Sequence, residues 1–361
     1  MNQPCLKLTT YFGERQRAVA DARRPGFLAD AMLNLFDTRD IATSVMMRGV
    51  ASFGPRHVLR TDESLSLSED PPVAIAAVDV ESKISALVDD VVAMTGSGLV
   101  TLERARLVGG GDVIDNGNSD GVKLTVYVGR QERIGGLPAY RAVCDLLHRL
   151  GFSGGAAFLG VDGTAHGVRY RAQFFSRNVN VPMMIVAIGT AAQVSAAVAE
   201  LSGATANPLL TVERVRVCKR GGELLARPHR LPDVDEQRRP LWQKLMVHTS
   251  EATGYHGVPI HRALVSRLLD SGMARGATAL RGVWGFHGDH EPHGDKLFQL
   301  ARRMPVVTII VDTPEWIARS FDIVDELTGE HGLVTSEMVP AVVTISDQDR
   351  DGDGSLAHHD Y

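Results

Sequence analysis

Apolar and polar residues alternate along Leu124-Thr125-Val126-Tyr127-Val128, the period of a strand with one buried face. A helical period follows such a strand three times. Leu28, Ala31, Met32, Leu35 and Phe36 share one helix face, as do Tyr140, Val143, Cys144 and Leu147, and then Ile260, Ala263, Leu264 and Leu268. Pro138 and Pro259 suit the first turn of their helices, where a missing N–H costs nothing. A second strand leads into a glycine-containing segment, and a polar stretch separates it from a nearly all-apolar run opened by Pro72, Pro182 or Pro305. Such a run predicts a buried strand. A second helix carries Ile84, Leu87, Val88, Val91 and Val92; then Val194, Ala197, Val198 and Leu201; then Ile317, Ser320, Phe321 and Val324. A closing strand ends each set, as in Val212-Glu213-Arg214-Val215-Arg216-Val217.

The three sets are copies of one another. Lys7-Leu8-Thr9-Thr10-Tyr11 matches Lys123-Leu124-Thr125-Val126-Tyr127 and, more loosely, Lys244-Leu245-Met246-Val247-His248. Arg48-Gly49-Val50 returns as Arg281-Gly282-Val283, whereas the middle copy keeps only Gly160-Val161-Asp162-Gly163. The closing segments are Leu99-Val100-Thr101-Leu102-Glu103, Leu210-Thr211-Val212-Glu213 and Leu333-Val334-Thr335-Ser336-Glu337. The step from proline to threonine is nearly constant (72 to 101, 182 to 211, 305 to 335). Four landmarks in one order at one spacing mean a tandem repeat. The predicted fold class is α+β: three tandem ferredoxin-like βαββαβ units at 6–108, 122–218 and 242–345. Residues 109–121 read as a glycine-rich linker, 219–241 as a stiffer one and 346–361 as an acidic tail. Each unit leaves one sheet face open, and the other two units are the economical cover for it.

Composition narrows the function. A chain of 361 residues with 44% apolar and 22% charged residues suits two or three globular units. A net charge of −5 offers no bulk attraction to nucleic acid, and no apolar run reaches the length of a membrane span. The first residues lack the blocks of a secretion signal, and three cysteines make neither a disulfide framework nor a zinc site, so a cytoplasmic protein is expected. No nucleophile elbow, metalloprotease helix, complete phosphate loop or dinucleotide fingerprint is present, and no enzyme is expected.

The strand Lys-Leu-x-x-Tyr, the segment Arg48-Gly49-Val50-Ala51-Ser52-Phe53-Gly54, the proline-led strand and the closing Leu-Val-Thr-x-Glu resemble the PII-like proteins, in particular domain of unknown function 190. The resemblance covers nearly all of 6–107, 122–217 and 243–345 and is weakest in the middle copy. It implies ferredoxin-like units packed around a three-fold axis, here an intramolecular pseudo-trimer in a monomeric chain. It implies a small metabolite or adenine nucleotide bound in clefts between units. It also implies signalling by reordering of the long loops before Pro72, Pro182 and Pro305 to a regulated protein, such as a membrane transporter. Carried over by motif, Arg48, Gly49 and Gly54 belong to one cleft and Arg281, Gly282 and Gly285 to another, with Thr101 and Thr335 as secondary candidates. Arginine beside close-approaching backbone N–H groups suits an anion, while the same residues also serve as a turn and a surface ion pair.

Two further clusters suggest metals. His287, His290 and His293 alternate with acidic residues and suit a divalent ion, as in a copper-tolerance-type PII-like protein; a solvated polar loop is the better reading of the same residues. Asp347-Gln348-Asp349-Arg350-Asp351-Gly352-Asp353-Gly354 opens like a calcium loop, but its twelfth position is His358, and a disordered tail is the default. A scaffold without ligand is the remaining alternative.

Overall fold

Along the first strand of unit one, Gln3–Gly13, successive side chains point to opposite faces of the sheet. Leu6, Leu8 and Phe12 face Leu28, Met32, Leu33 and Phe36 of the first helix, Leu28–Thr38. Cys5 joins a different cluster, shared by all three units. That two-sided burial sets the plan of the molecule. The structure is a computed structural model and describes residues 3–19, 26–62, 70–109, 121–172, 180–205, 208–288, 292–294, 304–346 and 349–359.

Each unit follows strand, helix, strand, strand, helix, strand. In unit one the strands are Gln3–Gly13, Thr43–Phe53, Pro72–Val80 and Ser97–Leu107. The first pairs antiparallel with the third and fourth, and the second with the third, so the order across the sheet is 2-3-1-4. Unit two repeats it with Gly121–Gly129, Gly154–Phe158, Pro182–Gly189 and Leu209–Arg220. Unit three does so with Trp242–Ser250, Ala277–Arg281, Pro305–Asp312 and Leu333–Val339. The first helices of units two and three are Ala139–Arg149 and Ile260–Ser271; Pro138 and Pro259 sit at their N-caps, one position before the first turn. The second helices are Ala191–Ala204, opened by a capping box of Thr190 and Gln193, and Pro314–Leu327. In unit one the second helical period is broken into Glu81–Ser85 and Val88–Met94.

The Arg-Gly-Val segments correct the sequence-based expectation of a loop. In unit one Arg48 is the last residue paired with its own third strand, and from Gly49 the same strand pairs with Ala277–Leu280 of unit three. In unit three Arg281 ends one ladder, and Trp284–His287 continues against Gly154–Ala157 of unit two. In unit two Asp162–Ala165 resumes beyond Gly160 and pairs with Thr43–Met46 of unit one. Each glycine marks a strand crossing from its own sheet to a neighbour's. A Cβ on Gly49 would lie 2.9 Å from Pro72 Cγ, one on Gly160 1.8 Å from the Pro182 carbonyl oxygen, and one on Gly282 2.8 Å from Pro305 Cγ. Glycine and leading proline, separate landmarks in the sequence, are two sides of one contact.

The fourth strands close a second ring of pairings. The end of Ser97–Leu107 pairs with Thr211 and Val212 of unit two, and the end of Leu209–Arg220 with Leu333–Ser336 of unit three. Beyond Pro340, Ala341–Ser346 returns to pair with Ser97–Leu102 of unit one. Among the described residues the three sheets thus form one 20-stranded sheet, a strand-rich barrel. These pairings also correct the expected tail. Asp349–Asp351 folds back on Thr344–Ser346, and Ala357 is fully buried with its carbonyl accepting from Arg104 Nη1 at 2.6 Å. The expected linker at 219–241 is likewise packed: Lys219 and Arg220 extend the fourth strand, and Asp235 accepts from the backbone N–H groups of Gln237, Arg239 and His358. No described helix is long and apolar enough to cross a membrane.

Candidate functional site

The inward faces of the three sheets bring the charged landmarks together. Lys7 lies opposite Glu103 in its own sheet, Lys123 opposite Glu213 and Lys244 opposite Glu337. Each lysine also reaches the glutamate of another unit. Lys7 Nζ lies 2.7 Å from Glu103 and 2.9 Å from Glu213; Lys123 Nζ 2.6 Å from both Glu213 and Glu337; Lys244 Nζ 2.8 Å from Glu337 and 2.5 Å from Glu103. Three cations and three anions alternate in a closed, neutral, buried ring. Burial opposes charge on Lys7, but Glu103, Glu213 and Glu337 outweigh it and raise its pKa well above the usual lysine value; Lys244 is raised in the same way. Burial also opposes ionisation of Glu103 and Glu337, yet the lysines hold both below the ordinary carboxylate value. At Lys123 burial prevails and the pKa is lowered. The three carboxylates come within 4.8 Å of one another, the only metal-sized cluster of ligating groups among the described residues. The interleaved ammonium groups occupy the place of a cation, so the ring holds the units in register.

Around this ring lie three junctions between units, and clefts open at two of them. Tyr11 and Tyr127 line these clefts and His248 marks the third junction; the three hold the same place in their strands, opposite Leu99, Leu209 and Leu333. The clefts have diverged. Between units one and three the cleft encloses about 830 Å³ of empty space, open mouth included, and Arg56, Arg60, Arg275, Trp242 and Phe53 contribute to its walls. Among the described residues no carboxylate lines it. Arg275 sits over the Trp242 ring at 5.5 Å, and the buried Trp242 indole N–H has no acceptor among the described residues. Between units two and one the cleft holds about 1030 Å³ on the same measure and is walled mainly by apolar groups, with Glu132, His166 and the Tyr127 phenol as its titratable residues among those described. Between units three and two, His248 lies close enough to His287 to feel its charge. Burial first, then His287 and Lys123, push the His248 pKa down to about 3, so the ring is neutral.

The residues singled out by sequence fall into different places. Gly54 lines the cleft between units one and three. Arg48 is engaged by Glu14 on the surface, at 2.9 Å from Nε, and Arg281 by Glu251 at 2.6 Å and Asp62 at 3.1 Å. Gly49, Gly282 and Gly285 permit strand crossings; a Cβ on Gly285 would lie 2.3 Å from the Gly155 carbonyl oxygen. Thr101 and Thr335 are fully buried in the fourth strands, and the Thr101 hydroxyl donates to Glu103 at 3.2 Å. His287 lies with Nε2 2.9 Å from the Thr249 carbonyl oxygen, while His293 stands opposite Gly285, and His290 lies outside the described residues. His287 and His293 belong to no metal-sized cluster among the described residues. Of the calcium-like segment, Asp347 and Gln348 lie outside the described residues; Asp351 pairs with Arg275, and Asp353 accepts from the Ser355 backbone. The loop segments 63–69, 173–179 and 295–303 also lie outside them.

Sequence reading missed the ring, although a lysine and a glutamate held at fixed positions inside buried strands of all three copies were the signal. It also missed Trp242, Arg275, Arg56 and Arg60, which carry no repeat signal because the junction they line is unlike the other two.

Comparison with known proteins accounts for the triplication. The family model of DUF190, described as "Uncharacterized ACR", matches three times, over residues 5–107, 121–217 and 242–341. The chain belongs to that family and carries three tandem copies of its domain. It is similar to the UPF0166 protein of Aquifex aeolicus (strain VF5), 36% identical over 99 residues, which is 27% of this chain and 90% of the relative.

Proposed function

We propose that this triple-copy member of the DUF190 family, a PII-like family, is a regulatory protein rather than an enzyme. Its units are read as ferredoxin-like domains arranged as an intramolecular pseudo-trimer. The strand order 2-3-1-4 in every unit supports the first part, and the cyclic exchange of second and fourth strands supports the second. A small metabolite or nucleotide would bind in an inter-unit cleft, and the loops leading to Pro72, Pro182 and Pro305 would carry the signal to a partner protein.

The observation that carries this reading is the set of three pseudo-equivalent junctions around one closed ring, two of them opening into clefts. A relative whose length is nearly spanned by a single copy points to one-unit relatives. Association of three such units would give identical junctions, whereas fusion frees each to change. Tyr11, Tyr127 and His248 mark them here, and the walls of the two clefts differ in charge. Ligand binding between rigid units that share strands is coupled to the relative placement of those units, which suits sensing.

The test is a thermal-unfolding titration of the whole chain with AMP, ADP, ATP, cyclic AMP and divalent metals. A ligand of the native state raises the midpoint with concentration by mass action. A saturable rise with a nucleotide supports the sensor reading. A rise with zinc or copper alone would replace it with metal binding, and no rise with any of them would leave a scaffold that contacts another protein.

A further inference from the structure

The two clefts between units offer different chemistries, and one of them is suited to an anion. We propose that the cleft between units one and three is the single ligand site of this chain and takes one organic phosphate, a phosphate ester with an apolar body, per molecule. In it Arg56, Arg60 and Arg275 would face the phosphate, and the Trp242 indole N–H would donate to the ligand. This rests on the reading above that ligands bind between units, and it adds which cleft, which chemical class and what stoichiometry.

Three observations support it. First, among the described residues the wall contains three guanidinium groups and no carboxylate. Arg56 has a partner of its own; the carboxylates at the other two stand at some distance, Asp70 at 3.7 Å from Arg60, and Asp312 at 3.5 Å and Asp351 at 3.3 Å from Arg275. Contacts of that length orient a guanidinium without the close bidentate pairing that would spend its donors, and planar guanidinium forks match phosphate oxygens. Second, Trp242 is 3% exposed and its N–H lacks an acceptor among the described residues. A buried unpaired donor costs on the order of 1–3 kcal/mol, which an accepting ligand atom would recover. Third, the remaining wall is apolar, with Phe12, Phe53, Leu99, Ile309 and Val311, and so fits the body of an ester rather than free phosphate.

The other junctions lack these groups. Arg275 stands six residues before Arg281, and the equivalent positions, six before Arg48 and six before Leu159, are Ala42 and Ser153; the Arg275 backbone N–H donates to Asp312 as that of Ala42 does to Asp79. The first-strand position of Trp242, opposite Val339, is Cys5 opposite Ala105 in unit one and Gly121 opposite Val215 in unit two. No arginine or lysine lines the cleft between units two and one among the described residues.

The experiment is calorimetric titration of the full chain with AMP, flavin mononucleotide, inorganic phosphate and uncharged adenosine, repeated on variants whose unliganded thermal unfolding is checked first. Expected is one site per chain for at least one ester and binding weaker with rising salt. Arg56→Ala and Arg275→Ala should each lose at least about tenfold in affinity, Arg275→Lys less, and Trp242→Phe a few-fold. Tyr127→Phe and His287→Ala should change nothing. Three sites per chain, or sensitivity to Tyr127→Phe or His287→Ala, would overturn the single-cleft assignment and leave the sensor reading standing. Adenosine binding as tightly as AMP would overturn the anion chemistry alone, and phosphate binding as tightly as the esters would reduce the site to an adventitious ion only. Failure of every ester and of adenosine would overturn both readings.

Discussion

Six charges in a protein interior are tolerable only when each finds its partners, because removing an ion from water costs several kcal/mol even after relaxation. In the central ring every lysine has two carboxylates within 2.9 Å, and the ring is neutral. Removing one member leaves an odd buried charge. Lys123→Met should therefore lower stability by about 3–5 kcal/mol in denaturant unfolding; a loss under about 1 kcal/mol would show that the ring contributes little. Glu103 and Glu337, with folded pKa values below the unfolded 4.5, stabilise fully above that value and lose the effect as pH falls through the depressed ones. Lys7 and Lys244, raised above 10.5, stabilise fully below it and lose the effect only as pH rises through their folded values. These four shifts favour the charged ring across the neutral range, while burial at Lys123 works against its charge.

His248 acts in a different window. Its folded pKa of about 3 lies below the usual 6.5, so its contribution is complete above 6.5 and falls away as pH drops toward 3. His248→Tyr, the residue type of Tyr11 and Tyr127, should flatten this acid limb by up to one proton, about 1.4 kcal/mol per pH unit. His261, lowered to about 4 chiefly by burial, would keep a residual slope of the same sign. Unfolding midpoints between pH 4 and 7 measure the difference, and an unchanged slope would mean that His248 is solvated.

At the scale of elements, the second strands decide the architecture by crossing from one sheet to the next at Gly49, Gly160 and Gly282. Gly160 is the tightest crossing, with the Pro182 carbonyl oxygen 1.8 Å from where a Cβ would sit. Backbone cannot move aside cheaply inside a shared ladder, so Gly160→Ala should cost on the order of 2 kcal/mol or more. Gly203→Ala, at an open position in a helix, serves as the control and should be neutral or stabilising. Equal effects of the two on the thermal midpoint would contradict the crossing. Most strands and helices were legible from local period, because a face buried on one side repeats every second or every 3.6 residues. The Arg-Gly-Val segments were misread as loops because glycine signals a turn and a close strand crossing alike. The returning strand at Asp349–Asp351 was misread because its acidic composition resembles a solvated tail, while its pairing partner is another strand of unit three.

For the whole molecule, cooperativity follows from sharing. The central cluster contains Met47 of unit one, Phe158 of unit two and Trp242 of unit three, and no unit can leave without exposing the other two. A chain of this length would ordinarily unfold in stages, unit by unit. Here a single calorimetric transition is expected, with van't Hoff and calorimetric enthalpies in agreement; three resolved transitions would show that the units stand alone. Local periodicity and the spacing of landmarks determined, from sequence by itself, that there are three copies, what elements each has and which faces are apolar, since those properties depend on neighbours a few residues apart. The tertiary structure alone decided that Lys7 meets Glu213, 206 residues away, and that Arg56, Arg275 and Trp242 share one cleft. Such meetings depend on the register in which one sheet's edge joins another's, and a period of two residues sets which face a side chain takes but not which distant strand it will meet.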